Sequence, residues 1–216
     1  MHWTQPIDLY CERTNATFWA EPVNALSNAA FLIAAVLAYM AWRATPRRDA
    51  ATAFLIALTA VIGTGSFIFH TVATAGAELF DTVPIGIFIY VYLFLALRRF
   101  LGLPLVAAGA ALVLFAAASY AEAAYVPAGA LNGSSAYLPA LAAMIAVGLL
   151  AQNGKARRTL LAAGGLFALS LVFRSIDNAV CRAWPLGTHF LWHCLNAVVL
   201  YTLLRAAIDA PQRKAA

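Results

Sequence analysis

His189 and His193 stand four residues apart, so on a helix they share one face about one turn apart. Ser66 and His70 repeat that spacing earlier in the chain. Two histidines from one helix and a third from another make a ready metal site. Three nitrogens and an open fourth position are the usual layout of a catalytic zinc, which lowers the pKa of its water toward about 7. Asp81, eleven residues after His70, could accept that water's proton and pass it to a leaving group. Ser66 could hydrogen-bond the water or a developing oxyanion. Each residue also has a plainer role. A histidine inside a membrane is often a helix–helix hydrogen-bond donor, and Asp81 could cap a helix. Ser66 could be a small packing residue beside Gly63 and Gly65, and Trp192, between the two histidines, reads as packing.

The elements that position these residues follow from composition. Of 216 residues, 63% are hydrophobic and 11% charged. A soluble domain is nearer about 45–50% apolar and about 25% charged. The excess excludes a polar solenoid, a disordered tail and an ordinary soluble enzyme, and leaves an integral membrane protein. Charges divide the chain into uncharged runs at 22–42, 50–77, 82–97, 100–121, 123–154, 159–173 and 183–204. A membrane helix needs about 20 apolar residues, so seven runs predict seven helices. The cluster Pro127, Gly129, Asn132, Gly133, Ser134 and Ser135 reads as a loop at the start of the fifth long run. The predicted architecture is an all-α seven-helix bundle, one domain over 1–216, with an N-terminal segment at 1–21. Its helices lie roughly at 22–43, 51–72, 78–97, 103–121, 136–152, 159–175 and 186–207. The runs 82–97 and 159–173 are too short to span alone. The first draws Asp81 into its helix and the second extends toward Arg174 and Asp177. An ionisable residue inside a span is a functional hypothesis by default.

Lys and Arg set the orientation. Eleven of the fourteen, from Arg43, Arg47 and Arg48 through to Arg205, Arg213 and Lys214, fall on one side. That predicts an N-terminus outside and a C-terminus in the cytoplasm. Seven of the nine acids lie on or border the outer side. His70 ends an outward helix, while Asp81, His189 and His193 open inward ones, so all four share one depth in the outer half of the membrane. The net charge of +5 is an orientation signal and needs no nucleic acid. Residues 1–20 carry Asp8, Glu12 and Arg13 with no apolar h-region, so no cleavable signal peptide is expected.

Several segments together resemble the alkaline ceramidase family, part of a seven-helix membrane hydrolase superfamily that includes the progestin and adiponectin receptors. They are Tyr10-Cys11-Glu12-Arg13-Thr14, Trp19-Ala20-Glu21-Pro22, Asn24-Ala25-Leu26-Ser27-Asn28, Gly65-Ser66-Phe67-Ile68-Phe69-His70 with Asp81, Ile176-Asp177-Asn178 with Cys181, and Gly187 through His193. The resemblance covers essentially the whole chain. It implies a zinc amidase that cleaves ceramide or a related N-acyl lipid to a fatty acid and a free amine. By motif match His70, His189 and His193 are the zinc ligands, and Asp81 and Ser66 the catalytic groups. It implies a Cys11–Cys181 disulfide. It also suggests a calcium site in the acidic N-terminal segment, for which Asp8, Glu12, Asn15 and Glu21 are the candidates; the plainer reading has Glu21 capping the first helix.

The expected partners are a membrane lipid and the bilayer, with the acyl chain in an apolar channel lined by residues such as Phe67, Ile85, Phe88 and Phe190. Two other functions fit the same residues. One is a seven-helix receptor or binding protein with a structural metal. The other is a hydrolase of a different lipid amide or ester.

Overall fold

A computed structural model describes residues 2–46 and 48–210. Among these it contains helices and turns, with no strand beyond an isolated bridge between Pro6 and Thr74. The helices are α1 (Pro22–Ser27), α2 (Ala29–Ala44), α3 (Ala50–Val72), α4 (Ala75–Arg99), α5 (Leu105–Tyr125), α6 (Leu138–Leu150), α7 (Gly154–Val180) and α8 (His189–Asp209). Seven segments are long and apolar enough to cross a membrane, with α1 and α2 together forming the first. Arg47, Arg213 and Lys214, counted in the charge bias, lie outside the described residues.

The break between α1 and α2 has a local cause. Ser27 Oγ and Asn28 Nδ2 both donate to the Asn24 carbonyl, at 2.8 and 2.9 Å. Side-chain donors that take a helical carbonyl compete with the backbone ladder. The residues expected to form a loop before α6 instead wind into a 3-10 turn, Ala130–Tyr137, with Leu131, Asn132 and Gly133 in left-handed conformations. α4 starts earlier than expected because Thr74 caps it, its hydroxyl accepting the Ala77 N–H. Asp81 is therefore in the second turn of α4 and is not its cap.

α8 packs against α2, α3 and α7, and α3 against α2 and α4. α5 is peripheral, with only Ala108 and Phe115 buried. Ion pairs Asp49–Arg99 and Lys155–Asp209 join residues at the end where α3 begins and α8 ends. The histidines occupy the opposite end, since His70 is two residues from the end of α3 and His189 is the first residue of α8.

The α3–α4 contact brings Ser66 toward Asp81. Pro84 lies inside α4 and has no N–H, so the Phe80 carbonyl four residues earlier loses its helical donor. Gly65 of α3 packs against that freed carbonyl, and a Cβ at this position would collide with it. Gly65→Val should therefore force the two helices apart at a cost of at least about 1–3 kcal/mol. Gly86→Val meets open space. Thermal melting in detergent should show a lowered midpoint for the first variant and a much smaller change for the second.

Candidate metal centre

His70, His189 and His193 are each buried, and their ligand nitrogens lie within 4.8 Å of one another. α3 supplies the first and α8 the other two, whose ring centroids are 4.6 Å apart. This is a cluster that could hold a metal ion.

Hydrogen bonds decide which ring nitrogens are free. Ser27 Oγ gives its one proton to Asn24 O, so toward His193 Nδ1, at 2.8 Å, it accepts. His193 thus carries its proton on Nδ1 and keeps a lone pair on Nε2. Glu21 Oε2 accepts from His70 Nδ1 at 2.6 Å and fixes the same tautomer there. His70 Nε2 is buried and meets no hydrogen-bond partner, and neither does His189 Nδ1. Buried polar atoms without partners are rare in folded proteins, and a metal ion would satisfy these. A carboxylate that orients a ligating histidine is a common arrangement around metals.

Glu21 is held in turn. Its Oε1 accepts from Arg13 Nε at 2.5 Å and its Oε2 from Asn24 Nδ2 at 3.1 Å. Burial pushes the Glu21 carboxyl up, but hydrogen bonds from His70, Arg13 and Asn24 outweigh it and hold the group below the usual carboxylate range. Arg13 also donates to the carbonyls of His70 at 2.8 Å and Asn15 at 3.2 Å.

The start of α8 is fixed by Asp177. Its Oδ1 accepts the N–H groups of Thr188 and His189 at 2.6 and 2.9 Å, and its Oδ2 accepts the Cys11 N–H at 2.9 Å. Gly187, at φ +63°, leaves the space this carboxylate occupies. Cys11 and Cys181 are joined by a disulfide with their Cα atoms 5.3 Å apart. Tyr10, next to Cys11, stacks on His189 with centroids 3.6 Å apart. The N-terminal segment thus closes over the histidines.

Ser66 is buried one turn before His70, and its hydroxyl interacts with the Asp81 carboxylate. Both expected catalytic groups are beside the cluster. Two cavities are bordered by residues that pack on the histidines, Tyr10 on His189 and Phe31 on His193. One, of about 630 Å³, is bordered by Tyr10, Ile85, Tyr137 and Arg174. The other is almost wholly apolar and runs among Phe88, Met144, Phe167, Trp192 and Val199. Ile85, Ile89, Phe115, Tyr137 and Ala140 line both. Of the expected channel residues Ile85 and Phe88 are present, but Phe67 and Phe190 are not; Phe67 packs edge-on to Trp19 instead.

Three of the four candidate calcium ligands have other partners. Glu12 accepts the N–H groups of Val23 and Asn24 at 2.7 and 2.8 Å, so Glu12, and not Glu21, satisfies the start of α1. Burial, partly offset by those two bonds, raises its carboxyl above the ordinary value. Asn15 Oδ1 accepts from the Thr17 backbone and hydroxyl, and Asp8 is exposed. Glu21 already has a cation in Arg13. Among the described residues the one group of three or more His, Cys, Asp or Glu able to hold a metal is the histidine cluster. Calcium needs about 6–8 oxygens, and the side chains of Glu12, Asn15 and Glu21 are engaged with other groups.

A family model described as Ceramidase matches residues 4–211. Comparison with curated proteins gives no match.

Glu21→Gln should loosen His70 and weaken metal binding by about 10–100-fold, read by competitive metal titration of the purified protein. Added calcium should leave the melting midpoint unchanged because Arg13 balances Glu21; a rise of several degrees on calcium addition would restore calcium to this segment.

Proposed function

The chain belongs to the ceramidase family, and we propose that it is a zinc-dependent hydrolase that cleaves ceramide or a related N-acyl lipid within the membrane. Membership implies a hydrolase acting on the amide bond of ceramide, with a lipid substrate and membrane-embedded helices. The observation that carries the zinc reading is the set of three imidazoles, two of them locked with Nε2 free. In this reading His70, His189 and His193 hold the ion, and Glu21 and Ser27 orient two of them. Bound there, zinc would supply a Lewis acid that polarises the amide carbonyl and acidifies water.

The protein's own groups would do the rest. The acyl chain lies in the apolar cavity along Phe88 and Phe167, which draws the amide to the histidine end. Asp81 takes the proton from water as its oxygen bonds to the carbonyl carbon. Ser66 donates to the Asp81 carboxylate, and once Asp81 holds the water's proton the Ser66 hydroxyl is released to donate toward the oxygen that gains charge. As the C–N bond breaks, Asp81 returns the proton to nitrogen, so a fatty acid and a free amine leave. The burial of His189 and Trp192 keeps bulk water from the far side of the site. The gathering of basic residues at the other end of the bundle supports an outward-facing site in a multi-pass protein with a cytoplasmic C-terminus.

His193→Ala should lose both bound zinc and ceramide hydrolysis. Asp81→Asn should keep zinc and lower kcat by about 100-fold or more. Zinc analysis and turnover of a ceramide panel on the same samples check both. Tight lipid binding without turnover by wild-type protein would instead favour a receptor, and full activity in His193→Ala would end the zinc reading.

A further inference from the structure

Arg174 is a cation inside a membrane span with no ion pair among the described residues. Charges at such depth are costly and normally paired, or they mark a ligand path. Its Nη1 donates to Tyr10 Oη at 2.6 Å. The guanidinium carbon also lies 5.5–5.6 Å from the ring centroids of Tyr10, Tyr137 and Trp192. These aromatic faces hold the cation without neutralising it. Its Nε is buried and has no hydrogen-bond partner.

The space around it is built for something more. Among the described residues Arg174 is the one cation bordering the cavity of about 630 Å³, which also has Thr82, Ser119 and Asn132 and a single carboxylate, Glu78, on its lining. Gly133 sits at φ +75°, and a Cβ there would come within 3.1 Å of Nη2. The left-handed turn before α6 therefore makes room for the guanidinium. Asn132 of the same turn donates to the Arg174 carbonyl at 3.1 Å. The adjoining cavity is apolar and has no such cation.

We propose that Arg174 is an anion subsite that binds a carboxylate or similar oxyanion of a lipid ligand in the larger cavity. The inference rests on the hydrolase reading for its choice of ligand. A planar guanidinium matches a carboxylate in two parallel hydrogen bonds. Two sources share this chemistry: the carboxylate of the released fatty acid, and an acidic group on the amine half of the substrate.

The test measures lipid affinity of zinc-loaded protein by thermal shift, for wild type, Arg174→Gln and Arg174→Lys. The probes are oleate, N-oleoylglycine, and the neutral N-oleoylethanolamine and oleyl alcohol. The proposal expects Arg174→Gln to lose about tenfold or more in affinity for an anionic probe and to keep its affinity for the neutral ones. Arg174→Lys keeps the charge without the fork and should fall between, which also serves if Arg174→Gln does not fold. A loss for oleate alone identifies the product, and a loss for N-oleoylglycine identifies an acidic amine half. Unchanged affinity for both anions, as when the metal alone holds the carboxylate, overturns the proposal. Because binding is read without turnover, the result is independent of whether ceramide is cleaved.

Discussion

The carboxylate of Glu21 ties the N-terminal segment to the histidine cluster. One oxygen takes the Nδ1 proton of His70 and the other takes Arg13. Without that acceptor, the buried His70 ring has no reason to present Nε2 toward His189 and His193. Without Arg13, a buried anion would stand unpaired beside the cluster, which costs several kcal/mol. Arg13 also binds the last turn of α3 through the His70 carbonyl, so one guanidinium joins the segment, the carboxylate and His70.

The same logic recurs at the start of α8. Asp177 satisfies the first N–H groups of the helix and the backbone of Cys11. The disulfide then fixes the segment beside it. Tyr10 is thereby pressed on His189, and its hydroxyl meets Arg174. In a chain with 11% charged residues, the polar groups at this end of the bundle hold one another in place. The apolar helices need only bring them to one depth.

Much of this was legible in the sequence. The uncharged runs reveal seven spans because the bilayer demands a minimum apolar length. Two runs too short to span alone point to Asp81, and to Arg174 and Asp177. The i, i+4 spacing puts His189 and His193 on one helix face. What was not legible depends on backbone details with no periodicity. The α1–α2 break that turns Ser27 toward His193 arises from two side chains competing for one carbonyl. The role of Glu21 could not be separated from that of a calcium ligand or helix cap, because both readings use a carboxylate before Pro22. Arg13 held the deciding signal, a lone cation in an acidic segment. Phe67, named beside Ile85 and Phe88 as a channel residue, packs on Trp19, because an apolar residue beside a site in sequence can lie on another face of its helix.

The central claim is that three imidazoles hold a catalytic zinc. X-ray absorption at the zinc edge, on purified wild-type protein shown to cleave ceramide, tests it most directly. The account predicts about one zinc per chain with a first shell of nitrogen and oxygen at about 2.0–2.1 Å, including three imidazoles. Turnover by protein that holds no zinc, or a shell containing sulfur at about 2.3 Å, would contradict it.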